Sequence, residues 1–419
     1  MRDFARSDSA DVQRQLDRLG ALSVPQGRLG LDTIRALLAR LGDPHKRLPP
    51  TFHVAGTNGK GSTCAFLRAM LEAQGYRVHV TTSPHLVRYN ERIRVAGELI
   101  SDVRLAVILE EVLDAGADLE PSFFEVTIAA AFTEFAREPA DACVVEVGLG
   151  GRFDATNVLE PDVLAACGIA ALGIDHERFL LAPDTGVPED PIARIAFEKA
   201  GIAKRGVPLV TLRETYPEIA RGTIAAVAAK NGAIIRDVDR SLVERLSRKD
   251  LGLPGAHQLW NAALAVAMLA SQGRLTVSEA AIERGLARTE WPARLHRLSK
   301  GPLVGNREVW LDGGHNRSAG EALAEHFRGQ RIHLILGMLE AKDPQALINP
   351  LAGSIASLTA VPVPGHDHHG PDAFGPGARA ANDLPEAVAA LPMDTLPVLI
   401  AGSLYLAGEA LRLNGDLPD

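Results

Sequence analysis

Residues 51–63 read TFHVAGTNGKGST. The run TFHVA is short, apolar and bounded by glycine, which predicts a strand over Thr51–Ala55. A glycine-rich turn follows, then helical spacing over Lys60–Gln74. Glycines let backbone N–H groups come close to phosphate oxygens. The start of a helix adds partial positive charge. Lys60 can reach terminal phosphates, and Ser62 or Thr63 can offer a hydroxyl to Mg²⁺. The spacing departs from the common Walker loop. Val54 stands where its first glycine would fall, and Gly61 separates the lysine from the hydroxyl.

Outward from this loop, short apolar runs alternate with Ala/Leu-rich helical segments. Strand patterns occur at 77–82, 142–147 (ACVVEV) and 162–169, with a helix over 122–137. The pattern restarts at 308–311, Ile332–Leu336 and 397–401. Such alternation predicts an α/β fold built on mainly parallel sheets. The Pro- and aromatic-punctuated stretch 290–294 (EWPAR) sets the expected boundary near residue 293. The expectation is a larger domain over 1–293 and a smaller, Rossmann-like one over 294–419. Residues 182–191 (APDTGVPEDP) are turn-rich and read as an exposed loop.

Composition limits the functions available. The 419 residues carry 44 Lys+Arg against 52 Asp+Glu, a formal net charge of −8. That argues against a nucleic-acid binder working by bulk charge. At 46% hydrophobic and 23% charged residues, the balance is that of a globular chain. Aromatics are only 5%, so Ala, Leu, Val and Ile must build the core. Cys64, Cys143 and Cys167 are too sparse for a disulfide framework and read as buried hydrophobes. The N-terminal stretch has no secretory apolar segment and no run is long enough for a membrane helix. The expected address is the cytoplasm, and the absence of coiled-coil heptads makes a monomer the expected state.

Several further residues carry chemistry. Glu146 ends a buried-strand pattern just before glycines, where an unpaired charge is costly. It reads as a hard oxygen ligand for Mg²⁺ or as a salt-bridged carboxylate at the sheet edge. On residue type alone, His176 is a satisfied loop histidine and Lys199 an exposed helix lysine. The same reasoning makes Phe123 and Phe124 core aromatics. The histidines of 365–370 (GHDHHG) read as a flexible loop without a metal.

The loop 56–62 (GTNGKGS) resembles the phosphate loop of the folylpolyglutamate synthase/dihydrofolate synthase family, a branch of the Mur ligase superfamily. So do 82–95 (TSPHLVRYNERIRV), 146–157 (EVGLGGRFDATN), 195–202 (IAFEKAGI), 291–295 (WPARL) and 312–316 (DGGHN), in order along the chain. Jointly these motifs are highly specific. The resemblance implies a P-loop nucleotide-binding domain, a Rossmann-like domain after it, and a site between the two. It implies ATP held by Thr57, Asn58, Gly59, Lys60, Gly61 and Ser62, with Asn261, Arg294, Asp312 and His315 helping. Arg317 stands where the family usually has proline after Asn316.

By the same resemblance, Mg²⁺, as two ions, is held by Ser62, Ser83, Glu146 and His176. Lys199, carbamylated in the family, places metal or phosphate, although the stretch from His176 to Lys199 is longer than the family's spacing. Ser122, Phe124 and Asp154 line a pteridine pocket, with 21–25 a further candidate. The catalytic set is then Lys60, Glu146, His176 and Lys199.

The implied activity is an ATP- and Mg²⁺-dependent amide-bond ligase. It adds L-glutamate to dihydropteroate, to reduced folates, or to both. Two rivals stay open at this stage. One is a Mur-type ligase acting on UDP-muramyl substrates, against which Gly61 speaks because that branch has Thr directly after the lysine. The other is a P-loop NTPase without ligase activity.

Overall fold

A computed structural model of the chain describes residues 6–22, 30–174, 180–182 and 184–418. These divide into two compact units. The first runs through Pro84 and includes Arg88–Gly252 and Leu259–Thr289. The second comprises His85–Val87, Leu253–Gln258 and the chain from Glu290 onward.

The first unit is organised by an eight-stranded sheet. Its strands are β1 Thr51–Ala55, β2 Val78–Thr81, β3 Ile93–Val95, β4 Glu98–Leu99, β5 Ala142–Glu146, β6 Leu164–Ile169, β7 Pro208–Thr211 and β8 Ile234–Asp237. They lie in the order β4-β3-β2-β5-β1-β6-β7-β8. Pairing is parallel from β2 to β8, and β3 and β4 join antiparallel at one edge. Every residue of β1, β5 and β6 is buried, as strands covered on both faces must be.

The strands expected at 77–82, 142–147 and 162–169 appear trimmed by one or two residues. The helix expected over 122–137 starts one residue later, at Phe123, because Ser122 is its N-cap. Ser122 and Glu125 form a reciprocal capping box, which satisfies two orphan backbone donors.

The helix Lys60–Gln74 packs on β1, β2 and β5, and the helix Glu279–Arg288 packs against it. The two helices approach at Gly285, where an added Cβ would lie 2.5 Å from Met70 Cα. No flexible side chain can yield there, because the obstacle is backbone.

The second unit holds a six-stranded sheet of β9 His296–Arg297, β10 Val309–Leu311, β11 Ile332–Leu336, β12 Ile355–Ala360, β13 Ala378–Ala380 and β14 Val398–Ala401. The order β13-β12-β11-β14-β10-β9 is parallel except at β9. Ile335, Val398, Ile400 and Leu411 belong to one of its apolar clusters, and Leu334, Leu336 and Leu399 to another. Leu86 belongs here too, with its carbonyl pressed against Gly408. The expected α/β class with two mainly parallel sheets is the one observed. Among the described residues no helix is long and apolar enough to cross a membrane.

Gly285→Ala should force the two helices apart and cost about 1–3 kcal/mol, the usual range for overpacking a closed contact. Denaturant unfolding at fixed pH checks this. An unchanged midpoint would contradict the close approach.

Candidate active site

Parallel β1 lies between β5 and β6, so the turns leaving these three strands gather at the carboxyl ends of the central strands. This is where open α/β sheets place their ligands. Val54 is in register with Glu146 on β5 and with Gly168 on β6. The glycine turn after β1, the carboxylate ending β5 and the segment 170–173 after β6 are therefore neighbours by construction.

The helix Lys60–Gln74 begins at Gly59, whose φ is 85°, and no side chain caps it. Its first intrahelical bond is Thr63 N–H to Gly59 O, at 2.9 Å. The N–H groups of Lys60, Gly61 and Ser62 have no intrahelical acceptor by position. An uncapped start of this kind suits an anion. The sequence reading also gave Thr57 and Asn58 to the nucleotide. Their backbone N–H groups both donate to Ala171 O, at 2.8 and 3.3 Å. The Thr57 hydroxyl is likewise tied, donating to Gly173 O (2.8 Å) and accepting from Gly173 N (3.0 Å). These two residues pin the loop to the segment after β6 and leave the anion donors to the helix start.

Gly59 also touches Asn261. A Cβ at Gly59 would fall 2.2 Å from Asn261 Oδ1, so buried Asn261 is pressed against the loop. Lys60 Nζ donates to Thr57 O across 3.4 Å, the long end of hydrogen bonding.

Glu146 is 5% exposed, and its Oε2 accepts from the backbone N–H of Ser83 at 3.2 Å. Ser62 is 1% exposed in the first turn of the helix. Carboxylates and hydroxyls are the hard-oxygen donors that Mg²⁺ takes. Among the described residues no group of three or more His, Cys, Asp or Glu could hold a metal ion. His176 lies outside the described residues, as do 23–25 of the 21–25 candidate.

Lys199 corrects the reading from residue type. It is 4% exposed rather than solvated, and its Nζ donates to Gly56 O at 2.9 Å. The amine thus holds the carbonyl of the residue that opens the phosphate loop. Phe123 and Phe124 are half-buried rather than core. Phe124 lies over Gly148, where a Cβ would meet its ring at 2.3 Å. The Arg92 guanidinium sits 5.4 Å from the Phe123 ring.

Ser122 and Asp154 have visible partners within the chain. Ser122 caps its helix and donates its hydroxyl to Glu125 (2.8 Å). Asp154 is buried, and burial raises its carboxyl above the usual carboxylate range. Its Oδ2 accepts from Leu149 N–H (2.8 Å), and Oδ1 from the N–H and hydroxyl of Thr156. Thr156 Oγ1 in turn pairs with His53 Nε2 at 2.8 Å. Sequence reasoning missed His53, because a histidine inside an apolar strand carries no motif.

In the second unit, Asp312 Oδ1 accepts from Gly314 N (2.7 Å) and Oδ2 from Leu295 N (2.8 Å). Arg294 Nη1 donates to Ala293 O (2.8 Å), and His315 Nδ1 lies 3.1 Å from Gly313 O. Ala293 and Leu295 adopt φ of 58° and 47°, a left-handed conformation that side chains rarely take. Such strain clusters at ligand clamps. The histidines of 365–370 are tied rather than loose. His366 stacks on Tyr405 at 3.8 Å, and His369 Nε2 lies 2.6 Å from Lys342 O. Cys64, Cys143 and Cys167 are buried and free, and burial pushes the Cys167 thiol up to about 12.

Fold and site together define an α/β protein with a glycine loop and an uncapped helix start at the carboxyl ends of its central parallel strands. No protein-family model matches the chain. A Bacillus subtilis (strain 168) dihydrofolate synthase/folylpolyglutamate synthase is 37% identical over 355 residues, covering 77% of this chain and 78% of that protein. The solved structure of E. coli FolC in complex with DHPP and ADP superposes with a TM-score of 0.81 at 29% identity, over 96% of this chain and 97% of that one. A bifunctional folylpolyglutamate synthase/dihydrofolate synthase with Mn, AMPPNP and L-glutamate bound gives 0.81 at 28% identity, over 98% and 99%. The chain belongs to the dihydrofolate synthase/folylpolyglutamate synthase family.

Burial holds the His53 imidazole down at about 3, so it is neutral in the fold, whereas the unfolded chain protonates it near 6.5. Below pH 6.5 the unfolded state therefore binds more protons, and stability falls as pH falls. The effect adds up to about 1.4 kcal/mol per pH unit until the folded value is reached. His53→Gln should flatten the unfolding free energy between pH 6.5 and 4. An unaltered pH slope would show that His53 does not carry it.

Proposed function

We propose that this chain is an ATP- and Mg²⁺-dependent ligase that joins L-glutamate to dihydropteroate and to reduced folates through an amide bond. A carboxylate is a poor acylating agent. The γ-phosphoryl of ATP passes to the acceptor's carboxylate, giving an acyl phosphate and ADP. The amine of glutamate then attacks the acyl carbon, and phosphate leaves with the two electrons of the broken C–O bond. Positioning and charge neutralisation supply most of the acceleration in such transfers.

The observation that carries this reading is the meeting, at the carboxyl ends of the central strands, of an uncapped helix start, Glu146 beside Ser83, and Lys199 on the loop carbonyl. Lys60, Gly61 and Ser62 receive phosphate oxygens, and the Lys60 ammonium stabilises charge on the phosphoryl group. Glu146, Ser62 and Ser83 hold the cation, with His176 from the segment after β6. Bound there, Mg²⁺ neutralises charge on the transferring phosphoryl group. Lys199 fixes the loop's entry, as an amine or as its carbamate. Phe124 stacks on the pteridine and Asp154 shapes its pocket, with Ser122 at the helix start. Asn261, Arg294, Asp312 and His315 contribute to ATP binding. Family membership favours this reading over a UDP-muramyl ligase and over an NTPase without an acceptor. We place the enzyme in the cytoplasm as a monomer acting on small molecules, and its net charge of −8 disfavours nucleic acid as a partner.

Incubation with ATP, Mg²⁺ and glutamate, adding dihydropteroate, a reduced folate or a UDP-muramyl acid in turn, should give phosphate and a product one glutamyl unit heavier with the first two only. Phosphate release indifferent to the folate acid would overturn the proposal.

Lys199→Ala should lower kcat by about 100-fold or more, the scale of losing one preorganised donor. Turnover near that of the parent would refute the role given to Lys199. The intact mass of the parent reports whether a carbamate is present.

A further inference from the structure

The family motifs leave unexplained how Lys199 keeps its register when the segment before it is long. A cluster of four charged side chains lies at that point. The Arg152 guanidinium grips Glu198 with two prongs, Nε to Oε2 at 3.1 Å and Nη2 to Oε1 at 2.8 Å. Nη2 also reaches Asp184 Oδ2 at 3.0 Å. Arg194 Nε lies 3.3 Å from Glu198 Oε1, and its Nη2 donates to Ala182 O at 3.2 Å. Two cations face two anions, so the cluster is neutral as a whole. Glu198 and Arg194 are 5% and 7% exposed, and the Arg152 guanidinium is 4.2 Å from the Phe153 ring and 5.0 Å from that of Phe197.

Backbone contacts reinforce the same junction. Arg152 N–H donates to Glu198 O at 2.8 Å. Asn157 Nδ2 donates to both Arg152 O (2.9 Å) and Gly201 O (3.2 Å). Gly151 lies so close that a Cβ would meet Glu198 O at 2.7 Å. Glu198 precedes Lys199, and Arg152 belongs to the glycine turn that leaves β5 after Glu146. Asp184 and the Ala182 carbonyl, which precede the helix Pro191–Ala200, are held by the same two arginines.

We propose that Arg152, acting through Glu198, is a positioning residue that holds the turn after Glu146 and the Lys199 helix as one piece, with Asp184 fastened to it as well. Lys199 then meets Gly56 O because its helix cannot slide or rotate against the turn carrying the acidic ligand. A planar fork is needed, since a lysine keeps the charge but cannot bind both carboxylate oxygens in fixed geometry. The inference rests on the role proposed for Lys199.

Arg152→Lys, Glu198→Gln and the double variant test it, with melting curves, kcat, and KM for ATP and acceptor. Arg152→Lys should stay folded, hold both KM values within about twofold, and lose about 10- to 100-fold in kcat, as expected for small misplacement of a reacting constellation. The double variant should be no worse than the poorer single one, because both break one linkage. A folded Arg152→Lys enzyme with the parent's kcat, or multiplicative losses in the double variant, would overturn the inference. If Arg152→Lys does not fold, the charge-neutral pair Arg152→Met with Glu198→Gln is read by the same criteria. Crippled Lys199→Ala beside normal Arg152→Lys sinks this inference alone. Normal Lys199→Ala sinks the Lys199 role itself.

Discussion

Everything at the candidate site depends on β1 being paired on both sides. Its backbone is bonded to β5 and β6 along their length, and its residues are wholly buried. A strand so enclosed cannot shift register without breaking two ladders and burying unpaired amides, which is costly. The turn at Gly56 is thereby fixed beside Glu146 and the segment after β6. Thr57 and Asn58 then spend their N–H groups on Ala171 O, and Lys199 takes Gly56 O. The loop is held from below and behind, and its remaining donors sit at an uncapped helix start.

Much of this was legible in the sequence, and for identifiable reasons. β1, β5 and β6 are doubly buried, so they read as continuous apolar runs that end abruptly at glycines. The helix Lys60–Gln74 announces itself by spacing and by the glycines at both ends. The hairpin of β3 and β4 did not, because strands of two or three residues are too short to show a period. The family resemblance added what periodicity never could, the pairing of motifs far apart along the chain.

The misreadings share one cause. Residue type gives the average environment of a side chain, and these positions are not average. Lys199 looked solvated because lysines in helices usually are. It is buried because the loop's carbonyl needs a donor there. The resemblance gave Thr57 to the nucleotide, and in the fold its hydroxyl also closes a ring with Gly173, a contact residue type does not announce. His53 was silent because it pairs with Thr156, which in turn donates to Asp154, from inside an apolar strand.

The charge of the whole chain and the charge of the site obey different rules. A net −8 disfavours binding polyanions by bulk attraction, which depends on an excess of cations. A phosphate loop works instead with aligned N–H dipoles, one ammonium and a cation held by a carboxylate, at distances where total charge is screened. For such a site the neighbouring buried charges must cancel, or their fields would compete with those of the loop. Arg152, Arg194, Asp184 and Glu198 do cancel. A buried ionic cluster is a weak source of stability. Its neutrality and its forked geometry suit a different task, setting the position of Lys199 against the loop carbonyl that it holds.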